Sequence, residues 1–362
     1  VLDVLVFGKS DIKSGDFLFF WDDYKNESYS QLKCVPRDSN DKMFIIFTSG
    51  STGKGKGIVH NTGGWLFSTI ITINKCLHFN AEDIFFSTAD VCWLAGLSHS
   101  LFGPLLMGGT SILFEGSPFY PTDQRIFEVI EKFKCTHLYT APTILRILQT
   151  GPPNKTNLNS LKLVGVVGEI LTSSSLEYLK AVFRNIPIIN TYWQTETGSI
   201  MLCSKIDDDL NNSVGFPVFG IKPLIVQDLE SFLECCPDEE GLLLFKNNWP
   251  SQFNLILGMS ITNSCAKLNN HYFTGDLAKK DINGRYYILG RCDDVINIAA
   301  HRISTYEVEN AIYQCKNVKE MAVIGVSDDL YGGRLVVCVV PKDKTKEDII
   351  RSNIKDLIKK KM

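Results

Sequence analysis

The segment TSGSTGKGKG at residues 48–57 gathers the groups that hold a polyphosphate. Gly50, Gly53, Gly55 and Gly57 let backbone N–H groups converge on an anion, Thr48, Ser49, Ser51 and Thr52 add hydroxyl donors, and Lys54 and Lys56 supply charge. Gly50, Gly55 and Lys56 also fit the Walker A pattern G-x-x-x-x-G-K-[ST] as far as its lysine, but residue 57 is glycine. The hydroxyl that would coordinate Mg²⁺ at the start of a helix is therefore missing, which disfavours a Walker-type enzyme releasing ADP and phosphate. A merely flexible Gly/Ser loop is the plain alternative; the apolar run MFIIF in front, read as a buried strand, and the two lysines argue against it.

Such a loop needs a sheet to carry it. Strand-like runs at 43–47, 83–89, 110–116, 136–142, 162–169 and 186–193 alternate with helical stretches such as RIFEVIEKF and SLEYLKAVF, the latter opened by a capping-box pattern at Ser174 and Glu177. This rhythm predicts an α/β fold, a mostly parallel sheet covered by helices, with ligand-bearing loops at the strand carboxyl ends. From about residue 203 to 291 shorter strands and turns predict a β-rich subdomain. After a boundary at residues 291–294, a hairpin, a helix over 305–313 capped by Ser304 and Glu307, two strands and a last helix predict a small α+β domain over 292–362. Residues 1–291 are thus expected to form the large domain.

The 362 residues, 44% of them hydrophobic, suffice for two or three domains with real cores. The formal net charge of −3 gives no general attraction to nucleic acid or to an anionic membrane, so neither is expected as a partner. No long apolar run and no leader pattern is present, and eleven cysteines without a C-x-x-C pair fit neither a zinc site nor a disulfide framework. A cytoplasmic protein is expected. VLDVLVFGK reads as a strand without a lead-in, and the last helical pattern has no stop signal, so both ends are expected to be truncated.

FTSGSTGKGKGIVH, TADVCWLAGLSHSLFGPL, VVGEIL, NTYWQTETG and YFTGDLAKKDINGRYYILGRCDDVINIAAHR occur in this order across residues 41–342. Together they resemble the motif series of the acyl-adenylate-forming (AMP-dependent synthetase) superfamily, most closely its short-chain acyl-CoA ligases. The resemblance implies attack of a carboxylate on the α-phosphorus of MgATP to give acyl-AMP and pyrophosphate, followed by displacement of AMP by the thiol of CoA. ATP, Mg²⁺ and CoA are then the cosubstrates, and acetate is the favoured acid.

By the same resemblance, Thr48 and Lys56 act on the phosphates together with the remainder of the loop. Gly168, Glu169 and Ile170 line the nucleotide, and Asn190, Thr191, Tyr192, Gln194 and Thr195 continue along adenine and α-phosphate. Glu196 holds Mg²⁺ and is counted with Thr48 and Lys56 as catalytic. Asp276 accepts from the ribose hydroxyls, and Arg291 and Arg302 contact the nucleotide. Trp193, facing Trp93 with Leu94 and Val167, closes the acyl pocket to a chain of about two or three carbons. Asp293 is the implied hinge of the C-terminal domain.

Several positions depart from the pattern. Ala95 stands for a threonine, Phe119 for an asparagine, and Ala299 and Ala300 for serine-glycine beside the CoA path, where an added methyl group crowds pantetheine. Gly55 replaces a proline. Lys359, Lys360 and Lys361 do not match the motif of the family's C-terminal lysine, so slow adenylation is expected of this chain. Propionate or another acceptor, and a non-catalytic nucleotide-binding module, remain open as alternatives; the oligomeric state is not readable.

Overall fold

Val4–Val6 (β1) and Leu18–Phe20 (β2) pair in parallel within a first unit, Val1–Asp38, of the computed structural model, and the site lies in a second unit, Ser39–Met362. The described residues are 4–6, 18–20, 34–48, 55–144, 156–206, 208, 210–257, 268–293, 295–298, 301–312, 315, 317–328, 332–343 and 347–361.

Lys42–Thr48 (β3) and Lys56–Asn61 (β4) form an antiparallel hairpin, joined on the other side of β4 by Leu255–Leu257 (β14). The segment read as a phosphate loop therefore joins two strands of a hairpin, unlike the strand-to-helix turn of a Walker site. MFIIF is not the buried strand expected: Ile45 is 50% and Phe47 67% exposed, because β3 is the edge of this three-stranded sheet. The buried strand is the central one, β4, with Ile58 and Val59 inside. Asn61 then caps the helix Thr62–Lys75, its Oδ1 accepting from the Gly64 N–H at 2.9 Å and satisfying one of the open donors of the first turn.

The main sheet has the order β11-β10-β9-β8-β7-β5-β6. Ile84–Ser87 (β5), Thr110–Ile112 (β6), His137–Thr140 (β7), Leu163–Val166 (β8) and Ile188–Tyr192 (β9) are parallel, and the short Leu202–Cys203 (β10) and Phe216–Pro217 (β11) extend the edge antiparallel. β7 and β8 are buried throughout, as strands covered on both faces must be. The helix Arg125–Phe133 matches the sequence expectation at both ends: Ile126, Phe127 and Ile130 face the sheet, and Lys134, at φ 52°, stops it. Truncating a side chain buried like Ile130 costs about 2–5 kcal/mol. The helix Ser173–Phe183 opens earlier than a Ser174 capping box would allow; Thr172, in extended conformation, is its N-cap and accepts from the Ser175 N–H.

Pro223–Val226 (β12), Glu240–Lys246 (β13), His271–Lys280 (β15) and Tyr286–Arg291 (β16) make a four-stranded antiparallel sheet, the β-rich part anticipated from the turns. The hairpin of Val295–Ile298 (β17) and His301–Ser304 (β18) follows, then the helix Thr305–Ile312, the hairpin of Val318–Asp328 (β19) and Gly332–Pro341 (β20), and the helix Glu347–Lys361. These last elements have a core of their own, in which Val308, Ile312, Val323, Ile350 and Ile354 meet. Among the described residues no helix is long and apolar enough to cross a membrane.

Candidate active site

Residues 168–171 leave the carboxyl end of β8, and residues 191–194 end β9 and turn away from it. Asp276 on β15 and Ile288, Gly290 and Arg291 on β16 face them, and a cavity of about 300 Å³ opens between the two sheets, closed further by Asn212 and Val214. That volume is at the lower end of the about 300–1,000 Å³ usual for small-molecule sites. Gly168 sits at φ 94° with nothing within 4 Å of where a Cβ would stand, so the turn needs glycine for its backbone and leaves its floor open.

Asp276 is the polar centre. It is 6% exposed, and its Oδ2 accepts from the Tyr192 hydroxyl at 2.5 Å and from the Gln194 amide at 2.8 Å, while Oδ1 accepts from the Arg291 guanidinium at 3.1 Å. Gln194 is itself fully engaged: it also donates to the Thr274 carbonyl at 3.0 Å, and its oxygen accepts from the Tyr272 hydroxyl at 2.6 Å. Burial raises the pKa of Asp276 despite these donors, and raises that of Tyr192 well above a phenol's ordinary value, with Asp276 adding to it. Burial works against the charge of Arg291 too, but Asp276 and Asp293 more than offset it. Asp293 is exposed and bonded to Arg291 Nε at 3.1 Å.

Trp193 is held by a hydrogen-bond chain with one direction. Its Nε1–H donates to the Tyr139 hydroxyl at 3.2 Å, which then donates to Thr191 Oγ1 at 2.8 Å, which donates to the Val166 carbonyl at 2.8 Å. The indole also packs with Tyr139 and Val167 in one apolar cluster and lies edge-on to the His99 ring, 5.2 Å between centroids. His99 is in a π-helix, Gly96–Phe102, fully buried, with neither ring nitrogen hydrogen-bonded; burial pulls its pKa down to about 3 against a weaker pull from the Ala95 backbone.

Glu196 lies outside that cavity lining, in the turn after Gln194. Burial raises its pKa, opposed by its own backbone N–H and by the charges of Lys56 and Arg291. Lys56 opens β4 directly opposite Thr48, so the ends of the hairpin and Glu196 share one electrostatic neighbourhood.

Of the expected site residues, Gly168, Glu169, Ile170, Thr191, Tyr192, Trp193, Gln194, Asp276 and Arg291 line the one cavity. Asn190 does not. It is 1% exposed, and its amide is spent on the Ser213 carbonyl at 2.9 Å. Trp93 does not face Trp193 across it either; it is 67% exposed, whereas Leu94 and Val167 are buried. Glu169 is bonded by the Thr143 hydroxyl. Thr195 is half-buried, Ala95 precedes the π-helix, and Phe119 packs against the core of the main sheet. Arg302 is on β18 opposite Asn297. Ser49, Gly50, Ser51, Thr52, Gly53, Lys54, Ala299 and Ala300 lie outside the described residues. His99 and Tyr272 lie inside two of the quoted motifs and Tyr139 in the strand-like run THLYTAP, but no spacing in the sequence assigns any of the three a role in the site.

A cavity of about 300 Å³ thus lies between a parallel and an antiparallel sheet, with a buried aspartate at its centre and an indole on its wall. The chain belongs to the AMP-binding enzyme family, which matches residues 4–252, and the AMP-binding enzyme C-terminal domain matches residues 307–362. Acetyl-coenzyme A synthetase 2 of Candida albicans is 36% identical over 350 residues, covering 94% of this chain and 52% of the relative. Acetyl-coenzyme A synthetase of Deinococcus radiodurans is 37% identical (90% and 51%), and acetyl-coenzyme A synthetase 1 of Saccharomyces cerevisiae 38% (90% and 47%). The chain thus spans about half the length of the curated relatives it matches. The crystal structure of the anthranilate CoA ligase AuaEII in complex with anthranoyl-AMP shares the fold, with a TM-score of 0.79 and 24% identity, over 92% of this chain and 63% of that one.

Proposed function

We propose that the protein activates a small carboxylic acid, acetate first, with ATP and passes the acyl group to CoA. A carboxylate oxygen attacks the α-phosphorus, the bond to the bridging oxygen breaks, and pyrophosphate leaves with the electron pair; CoA sulfur then attacks the acyl carbon and AMP leaves. The single observation that supports this reading is the shared wall of the cavity: Asp276 is braced by Tyr192, Gln194 and Arg291, and Trp193 on the same wall is held by Tyr139, where it would close the acid end. Its relatives' names support CoA as acceptor and acetate as acid.

In this reading Asp276 accepts from the ribose, and Gly168, Ile170 and Tyr192 flank the base. Glu169, Thr191, Thr195 and Asn190 support that region from behind or beside it. Thr48, Lys56 and the intervening loop, Ser49 through Lys54, take the phosphates, with Arg291 and Arg302 nearby. Leu94 and Val167 belong to the acyl wall, Ala95, Ala299 and Ala300 to the CoA path, and Asp293 to a hinge between residues 1–291 and 292–362. Forked, permanently charged guanidinium groups suit phosphate oxygens, and fixed donors there stabilise the charge that develops at phosphorus.

Glu196 fits Mg²⁺. It is a half-buried carboxylate whose ionisation burial disfavours and whose charge a hard cation would satisfy. Among the described residues no three acidic, histidine or cysteine side chains converge on a metal site, which suits a cation sharing one carboxylate with phosphate oxygens and water. When bound, the cation screens the repulsion between the two anionic substrates. The charge of Lys56 favours the ionised form of the same carboxylate, against the effect of burial.

A cytoplasmic location accompanies this reading, as does a lack of nucleic-acid or membrane partners. Product analysis with acetate, propionate and CoA tests it: AMP and pyrophosphate formed only with acid present support the proposal, and ADP with phosphate, or no turnover of bound nucleotide, sinks it.

A further inference from the structure

We propose that His60 is the positioning residue that ties the strand bearing Lys56 to the turn bearing Glu196, and so sets the geometry in which Mg²⁺ and the ATP phosphates meet. The inference rests on the function proposed above. His60 is four residues along β4 from Lys56, and the period of a strand puts both on one face. It is fully buried, and its Nε2 lies 2.8 Å from the Thr195 carbonyl oxygen, the residue before Glu196; Nδ1 lies 3.2 Å from the Ser251 carbonyl oxygen. A neutral imidazole has one N–H, and the shorter contact takes it.

Three successive carbonyls of the Glu196 turn are captured, by two segments between them. Thr195 is held by His60, Glu196 by the Phe253 N–H at 3.2 Å, and Thr197 by the Trp249 indole and the Ser251 hydroxyl, both at 2.8 Å. Two of these holds come from residues 249–253. His60 supplies the one from β4, the strand whose first residue already acts on the Glu196 carboxylate. The fit is tight on the far side too: a Cβ on Gly198 would come within 2.8 Å of the His60 ring and 2.3 Å of the Ser251 oxygen. Displacing a catalytic group by a fraction of an ångström is felt in the reacting geometry, which gives a buried, non-contacting ring leverage on the phosphates.

The test uses two polar substitutions of similar size. The amide nitrogen of glutamine reaches where Nε2 stands, and that of asparagine where Nδ1 stands, so His60→Gln keeps the bond to Thr195 and His60→Asn loses it. ATP affinity is measured by titration calorimetry with Mg²⁺ and again with EDTA. The expected result is that His60→Asn loses at least tenfold of the Mg²⁺-dependent gain in affinity while its EDTA affinity stays within twofold of the parent. His60→Gln should keep the gain within threefold. In a Glu196→Gln background His60→Asn should add nothing further. Equal losses with and without Mg²⁺, or an unaltered gain in His60→Asn, would overturn the inference.

Should His60→Asn not fold, hydrogen exchange on the parent decides: adding Mg²⁺ to the ATP-bound protein should slow residues 56–61 and 194–199 together, and a change in neither overturns the inference. A parent that binds no ATP under any condition overturns the functional reading, and this inference with it.

Discussion

The Trp193 indole N–H donates to the Tyr139 hydroxyl at 3.2 Å, and that single contact orients the bulkiest side chain on the cavity wall. Tyr139 cannot simply rotate away: its hydroxyl is committed to Thr191, and a Cβ on Gly165 would meet its ring at 2.5 Å. Under the proposed function, the width of the acid end would therefore be set from below by Tyr139 and Thr191. Tyr139→Phe leaves the indole N–H unpaired, a cost of about 1–3 kcal/mol in stability, and frees the indole to tilt. The ratio of kcat/KM for propionate to that for acetate should rise several-fold. Trp193→Gly should go further and admit longer acids, each accommodated methylene being worth about 0.8 kcal/mol, or roughly fourfold in affinity. An unchanged acid profile in both variants would remove Trp193 from the pocket wall.

Asp276 makes a different claim, on the nucleotide. Its carboxylate is the common acceptor for Tyr192, Gln194 and Arg291, so an amide in its place meets donors where it also presents donors. Asp276→Asn should weaken ATP binding by about 1.5–3 kcal/mol, the range of a hydrogen bond to a charged group, which is on the order of ten- to a hundredfold. ATP and its 2′,3′-dideoxy analogue should then bind alike in the variant though not in the parent. Calorimetry with both nucleotides checks this, and a variant that still distinguishes them would show that Asp276 is not the ribose acceptor.

Asp276 and Arg291 stand out in the sequence because each sits in a dense local motif, YFTGD and ILGR; that the strand ladder sets them directly opposite each other is visible only in the structure. NTYWQTE reads as one continuous site, yet Thr191 and Tyr192 at the end of β9 line the cavity, while Asn190, one residue deeper in the strand, is buried and bonded to the Ser213 carbonyl, a partner that only tertiary packing supplies. The glycine-rich segment spells most of a Walker loop, but whether a strand or a helix follows it depends on pairing with residues 255–257, two hundred positions away. Tyr139 and His60 are invisible as functional residues because their partners, Trp193 and Thr195, come together with them only through tertiary packing. The parallel sheet itself was readable, since buried strands such as LVGV announce themselves by unbroken apolar runs.

Gly168 offers a test that separates backbone need from cavity space. Its φ of 94° disfavours any side chain, while the space in front of it is empty. Gly168→Ala should therefore cost stability by about 1 kcal/mol through backbone strain alone and also set a methyl group into the nucleotide floor. A lower urea midpoint together with several-fold weaker ATP binding is the expected pair of results. Loss of stability with unchanged affinity would mean that the nucleotide does not pass over Gly168.

Acid sensitivity follows from histidines buried without charge. Burial lowers the pKa of His99 to about 3 and those of His60 and His137 to about 4, from an ordinary value of 6.5. Below pH 6.5 the unfolded chain takes up protons that the folded one refuses, so stability rises with pH across this window and is complete above it. Each group contributes up to about 1.4 kcal/mol per pH unit between its folded value and 6.5. His99 isolates the effect, because its ring nitrogens have at most a weak interaction with the Ala95 backbone and the ring sits against Tyr139 and Trp193 as a phenyl could. His99→Phe should be at least as stable as the parent at pH 7.5 and clearly more stable at pH 5, with a flatter dependence of the urea midpoint on pH. Parallel curves for the two proteins would show that the folded state protonates His99 as readily as the unfolded chain does.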